Sequence, residues 1–314
     1  MLSKTDYYFL VIAKTGNLNQ AAQQLYVSQP SLSKYIQRLE TQLGTSLFDR
    51  SSSPMRLNES GKIYLQYLRN AIEKEQELLC QIGEINQMIR GTLRLGIPSF
   101  CGQCYLPKVL PAFSREFPHV SLELYEKTGV KIEQALLDQE IDLAILHPPI
   151  IHENLTRRII AKERILLVTQ KTPEDDETDF TRQAAVREGT FSDIAGKPVI
   201  MPQADQKLSR IVNRFFSLLD YQPHIYTRTE NVVTTMELAA LGMGIGFTPE
   251  SGLNTVSENI LNRLRFFSFS DSLSDWQLAA VVRRDTAMSV FSKRFVELIS
   301  ESARQTGRSM QQKE

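Results

Sequence analysis

The chain reads as an α/β protein in which a small helical head is joined by one long helix to a two-lobed body. Three observations predict this class. Residues 21–50, AAQQLYVSQPSLSKYIQRLETQLGTSLFDR, have the spacing of two helices around a tight turn. Residues 58–89 keep a stripe of side chains at alternating steps of three and four. From residue 92 onward short apolar strands alternate with helices, and that pattern occurs twice. At 314 residues there is room for two or three domains.

The head, residues 1–57, begins with a helix over Leu2–Lys14 that buries Tyr8, Phe9, Ile12 and Ala13 and stops at Gly16. Asn17 can cap the next helix, in which Ala21 and Ala22 are small enough for two helices to approach closely. Ser28 and Pro30 open the third. A hydroxyl at the N-cap satisfies a free backbone N–H, and proline near a helix start costs little. Leu32, Ile36 and Leu39 then fall at i, i+4 and i+7, one buried stripe. The opposite face carries Gln29, Ser31, Ser33, Lys34 and Gln37, short donors and acceptors with one cation. A recognition helix in a major groove needs that division between faces. An ordinary αα-hairpin with a polar outer face has the same periodicity, so the pattern alone leaves both readings open. After the C-cap signal Leu43-Gly44, Leu47 and Phe48 are core residues, and Arg50–Arg56 reads as a short turn between two extended pieces. Such a wing would let Arg50 and Arg56 reach phosphate or the minor groove; a disordered polar loop is the alternative.

Charge separates the head from the rest. Residues 1–69 hold eight basic side chains against four acidic ones, while the whole chain is neutral. A basic module on an acidic remainder suits a DNA-binding head on a body that does not bind DNA.

From Asn58, a good N-cap, to Ile89 the chain reads as a single linker helix (domain limits 58–90). Leu65, Leu68, Ile72, Glu75, Leu79, Ile82, Asn86 and Ile89 form the heptad seam of a two-stranded coiled coil, interrupted at Glu75 and Asn86. The alternative is an amphipathic helix packed on its own body. The length, about four heptads, favours a dimer, which would also fix the spacing of two heads.

The body, residues 91–314, is expected to form parallel sheets covered on both faces. One lobe would comprise about 91–161 with 267–314, the other about 162–266. In open sheets of this kind ligands bind beyond the carboxyl ends of the strands. That rule nominates Ser99, Phe100 and Cys101 after the first strand, Thr128 after the second and His147 after the third. In the other lobe it nominates Gln203 and Phe247. Helix N-termini beside those ends would favour an anionic small molecule.

Other chemistries find less support. Cys101 and Cys104 form a C-x-x-C at a helix start, where one thiolate could be stabilised, so a redox-responsive regulator is an alternative. With Cys80 in the rod and four histidines in all, no second pair completes a zinc site. Gly242–Gly246 follows a helix and precedes a strand, the reverse of a dinucleotide fingerprint, so no cofactor is expected. The acidic stretch Glu174–Asp179 reads as a solvated loop, and Trp276 as core. No nucleophile–base–orienter set stands out, which argues against an enzyme. Three cysteines argue against a disulfide framework. No run is long enough to span a membrane, and no export signal appears. A reduced, cytoplasmic setting follows as the expectation.

The first 60 or so residues closely resemble the LysR-type transcriptional regulators. The matching positions include Phe9, Gly16, Ala21-Ala22, Leu25, Ser28-Gln29-Pro30-Ser31, Ser33, Ile36, Leu39-Glu40, Leu43-Gly44, Leu47-Phe48, Arg50, Leu57 and Gly61. Further on, LRLGIP, EIDLAIL, DIAGKPVI and ALGMGIGFTP follow the family's order more loosely. Asn17 and Asn58 stand where the family usually has Ser and Thr, and both are competent caps. The cysteine pair is not a family hallmark.

The resemblance implies a winged-helix head, a linker-helix dimer and a body similar to type 2 periplasmic binding proteins. It also implies a homodimer or homotetramer on double-stranded promoter DNA, with a small co-inducer altering DNA bending. Gln29, Pro30, Ser31, Ser33, Lys34 and Gln37 would then read or flank base edges, with Arg50 and Arg56 on the backbone or minor groove. Ser99, Phe100, Thr128 and Gln203 fall where the family's effector pockets lie. A solute-binding protein or an enzyme is the less favoured alternative.

Overall fold

In the computed structural model, residues 3–49, 54–85, 89–150, 152–172, 186–269, 276–284 and 286–311 are described. The chain divides into two compact units, Met1–Gly91 and Thr92–Glu314.

The Ser3 hydroxyl accepts from Asp6 N at 3.2 Å, while the Asp6 carboxylate accepts the Ser3 N–H at 2.9 Å. This reciprocal cap starts α1 (Lys4–Thr15), which ends at Gly16 in the left-handed region, φ +60°. Asn17 accepts from Asn19 N and Gln20 N to start α2 (Leu18–Gln24), and Ser28 starts α3 (Gln29–Leu43). The stripe Leu32, Ile36 and Leu39 is buried as the spacing predicts, against Phe9, Ile12, Ala21 and Ala22. Each fully buried apolar side chain of this size contributes roughly 1.5–3 kcal/mol.

The wing is a two-stranded antiparallel ribbon, β1 (Phe48–Asp49) with β2 (Arg56–Leu57), pairing Asp49 with Arg56. Arg50 lies outside the described residues. Asn58 then caps α4 (Glu59–Ile85), accepting from Gly61 N at 2.9 Å and donating to Ser46 O at 2.9 Å. A Cβ at Gly61 would stand 2.0 Å from the Leu47 carbonyl, so only glycine permits this approach of helix to ribbon.

The seam expected along α4 is partly used within the head. Leu68 is fully buried there, and Leu65 and Tyr64 pack beside it. Tyr64 stacks edge-on against Phe9 at 5.0 Å and donates to Asp6. Burial alone would raise the Asp6 carboxyl, but its bonds from Tyr64 and Ser3 outweigh that and hold it below the usual range. Ile63, Tyr67, Leu78 and Ile82 of the same helix are exposed. Asn86 and the side chain of Leu79 lie outside the described residues.

In the second unit, lobe I is a five-stranded sheet built from β3 (Gly91–Gly96), β4 (Val120–Tyr125), β5 (Leu143–Leu146), β6 (Leu155–Glu163) and β13 (Trp276–Arg283). Its order is β4-β3-β5-β13-β6. Lobe II holds β7 (Ile165–Gln170), β8 (Val186–Glu188), β9 (Val199–Pro202), β10 (Ile225–Thr229), β11 (Gly246–Pro249) and β12 (Leu264–Ser268). There the order β11-β7-β12-β8 joins the pair β9-β10 through a parallel bridge between Val199 and Ile245.

The sheets are mixed rather than parallel throughout. β13 runs antiparallel to β5 and β6, and β7 antiparallel to β11 and β12. The reversals belong to the strands that pass between lobes, which enter directly and need no helical crossover. β6 and β8 escape sequence reasoning because neither alternates apolar with polar residues.

The covering helices are α5 (Ser99–Glu116), α6 (Gly129–Leu137), α7 (Lys207–Leu218), α8 (Val232–Ala240), the short α9 (Glu258–Leu261) and α10 (Val290–Gln311). α5 opens at Ser99, so Cys101 and Cys104 both lie within its first two turns. Pro107 and Pro111 inside it sit on its exposed face, so the hydrogen bonds they remove from the helix are not lost in the core. Glu174–Asp179 lies outside the described residues.

Candidate nucleic-acid interface and interlobe cleft

On α3, Gln29, Pro30, Ser31, Lys34 and Gln37 are exposed on one side, and Ser33 is half-covered. The Ser31 hydroxyl lies 2.8 Å from that of Ser28, so the cap also holds the first turn's outer hydroxyl in place. Gln29, Lys34 and Gln37, and Arg56 on the wing, make no side-chain hydrogen bond or ion pair with another described residue. Arg38, one turn beyond Lys34 and also exposed, extends the basic edge. Its i+4 spacing from Lys34 was the signal for it, and the sequence reading passed over it.

In the body, the nominated residues divide into two groups. Ser99 and Thr128 are exposed, at the first residue of α5 and the N-cap of α6, and Gln203 is half-buried just beyond β9. Cys101, His147 and Phe247 are buried. Phe247 packs on Phe215 and Phe216 in the core of lobe II, away from any cleft surface. Phe100 reaches from lobe I onto the lobe II core beside Val232 and Gly252.

A cation missed in the sequence joins the lobes. Lys207, the first residue of α7, donates to Glu133 of α6 at 3.2 Å, to Pro149 O at 2.8 Å and to the carbonyl of His147. Burial lowers its pKa, and Glu133 works against that. Gly129 at the start of α6 lies against the Lys207 stem. Two helix N-termini without a side-chain cap, those of α6 and α7, therefore meet at this point from opposite lobes.

Behind it most of the polar groups are buried and paired, while the Trp276 indole N–H is buried without a hydrogen-bond partner among the described residues. His147 Nδ1 is 2.8 Å from the Gln277 carbonyl, so the proton sits on Nδ1 and Nε2 accepts the Cys101 thiol at 3.2 Å. The imidazole stacks on Trp276 at 3.9 Å. Burial drives the His147 pKa down to about 3, and the Lys207 charge adds to it. Burial also pushes the Cys101 thiol well up and Cys104 to about 12, with Cys104 donating to Ser251 O at 3.6 Å. A helix start favours a thiolate, but here desolvation outweighs it. Both sulfurs are therefore protonated at neutral pH, which disfavours the redox reading. Glu163, where β6 crosses to β7, accepts from Ser251 N at 2.7 Å and Tyr105 OH at 3.3 Å. Burial raises it to about 7.

Two family models account for nearly the whole chain. Residues 7–62 match the bacterial regulatory helix-turn-helix protein of the lysR family, and residues 86–304 match the LysR substrate binding domain. The chain belongs to the LysR family. It is a DNA-binding transcriptional regulator with a helix-turn-helix head and an effector-binding body. LysR regulators bind promoter DNA, take small-molecule effectors in that body and oligomerise; they are generally not enzymes. Among its relatives, YcgK of Bacillus subtilis, an uncharacterized HTH-type transcriptional regulator, is 28% identical over 96% of this chain and 95% of its own. A full-length OxyR variant from Pseudomonas aeruginosa shares the fold at TM-score 0.66 and 20% identity, covering 97% of this chain and 95% of that one. CbnR in complex with its target DNA gives 0.61 and 20%, covering 96% and 100%. At these identities the two structures speak for the fold alone. No helix among the described residues is long and apolar enough to cross a membrane.

Proposed function

We propose that this LysR-family regulator reads an inverted-repeat operator through paired α3 helices and responds to a small anionic effector between its lobes. The carrying observation is the outer face of α3, where Gln29, Lys34 and Gln37 are exposed with no side-chain partner among the described residues. A row of exposed donors and acceptors on a rigid helix is suited to an external partner. Pro30, Ser31 and Ser33 would flank the base edges; Arg56, with Arg50, would hold phosphate or the minor groove. The exposed Ile63, Tyr67, Leu78 and Ile82 of α4 support pairing of two chains as a dimer, and of dimers as a tetramer.

In this reading residues 1–57 are the DNA-binding head, 58–90 the linker and 91–314 the effector domain. The effector would be held by Ser99, Phe100, Thr128 and Gln203, with the uncapped starts of α6 and α7 and the Lys207 ammonium favouring a carboxylate or phosphate. The chain works by binding rather than catalysis, in the cytoplasm. Its nearest approach to a nucleophile–base pair, Cys101 with His147, is buried with the thiol pKa raised and the imidazole pushed to about 3.

Gel-shift titration on the chain's own promoter region tests this. Lys34→Gln should weaken binding about tenfold and flatten the salt dependence by about one counterion. Equal affinity for random DNA would sink the proposal. A thermal-shift screen of organic acids, with Thr128→Val as control, identifies the effector class.

A further inference from the structure

Away from the lobe junction, lobe I has a cavity of about 230 Å3 between β6, β13 and α10. Strand pairing sets Arg158 opposite Ala280 and Thr156 opposite Val282, so these four side chains line it from the sheet. From the helix come Lys293, Val296 and Glu297, which share one face at i, i+3 and i+4, and Met288 precedes them. The floor is apolar: Ala280, Val282, Val296 and Met288. The Ala280 side chain is only a methyl, smaller than Leu278 and Val282 two residues to either side, and it leaves the space open.

The rim is cationic and unanswered. Arg158 and Lys293 are exposed, and neither makes a side-chain hydrogen bond or ion pair with another described residue. Other cations of the same body do hold carboxylates: Arg94 with Asp142 at 2.6 Å, Arg164 with Glu250 at 2.6 Å, Lys207 with Glu133 at 3.2 Å and Arg294 with Glu116 at 3.0 Å. The acidic lining residue, Glu297, is itself bonded to Arg294 at 3.2 Å. Two free cations over an apolar floor complement a molecule with an apolar body and one negative end. The volume admits a ligand on the order of ten heavy atoms and excludes a folded partner's segment.

We propose that this cavity binds a small monocarboxylate with an apolar body, at a site separate from the interlobe cleft. The ligand's hydrocarbon lies on Ala280, Val282 and Val296, and its carboxylate bridges Arg158 and Lys293. The site does not depend on the effector reading of the cleft.

Isothermal titration of the full-length chain with phenylacetate and with hexanoate tests it, with phenylacetamide and hexanamide as neutral counterparts. The acids should bind, and the amides at least about tenfold more weakly, since a charge-assisted pair is lost. Arg158→Gln with Lys293→Gln should weaken acid binding by about tenfold or more. Ala280→Leu, which fills the floor, should abolish it. Both cations are exposed, so the double variant keeps its fold even if Ala280→Leu does not. Thr128→Val in the cleft should leave acid binding unchanged. The proposal is overturned if neither acid binds, if the amides match the acids, or if the double variant binds like the parent. Loss of binding in Thr128→Val instead would assign the acid to the cleft, and binding of an acidic peptide but no acid would make the groove a protein contact.

Discussion

The outer face of α3 and the junction between the lobes are both lined with polar side chains, and they differ in how those groups are satisfied. On α3 the donors face water, with Gln29, Lys34 and Gln37 unpaired among the described residues. At the junction Lys207, Glu133, His147, Cys101 and Glu163 are at least half-buried, and each has a named partner. The first arrangement is at no cost while it waits, because water satisfies it. The second is committed to one geometry, because any displacement strands a buried group. A surface for a partner and a joint between two lobes thus use the same residue types in opposite ways.

The contrast can be broken most forcefully from inside the head. Phe9→Ala removes the ring that packs on Phe48 and Tyr64 and should cost about 3–5 kcal/mol. Calorimetry should show the head melting early while the body's transition stays put; a common shift of both would contradict two independent units. A single exchange made at both places sharpens the comparison. Lys207→Met leaves Glu133 buried without its cation and should cost about 3 kcal/mol in denaturant unfolding. Lys34→Met on the outer face of α3 should change stability by less than about 0.5 kcal/mol. Equal costs would erase the distinction.

A pH dependence is expected at the junction as well. Glu163 has a folded-state pKa of about 7 against an ordinary 4.5, so the folded state binds the extra proton. Its penalty is absent below pH 4.5, grows as pH rises through the interval to 7, and is complete above it. Glu163→Gln should match the parent at pH 4 and exceed it by about 3 kcal/mol at pH 8. His147 acts with opposite sign: with its folded pKa near 3 against 6.5, stability is lost as pH falls below 6.5.

The head was legible because its information is local. Leu32, Ile36 and Leu39 declare a buried face within eight residues, and Ser28, Asn17 and Asn58 are caps recognisable one residue at a time. The junction was not. Cys101 meets His147 across 46 positions, Lys207 meets Glu133 across 74, and Ser251 meets Glu163 across 88. No periodicity carries such pairings. Strand-end reasoning did find Cys101 and His147 but took them for surface, because it fixes position along a strand and not depth. It missed Lys207 altogether, since a lysine opening a helix is ordinarily solvated. The heptad pattern of α4 is shared between two uses: Leu65 and Leu68 fit the repeat, and they also pack into the head's own core.

Trp276 is the chain's one tryptophan, and it stacks on the neutral His147 ring where β13 begins. The near-ultraviolet emission of the whole protein above tyrosine therefore originates from a single indole at the joint between the lobes, with none from the head. The molecule carries its own optical gauge of that joint, one that is blind to DNA docking except through whatever the joint itself does.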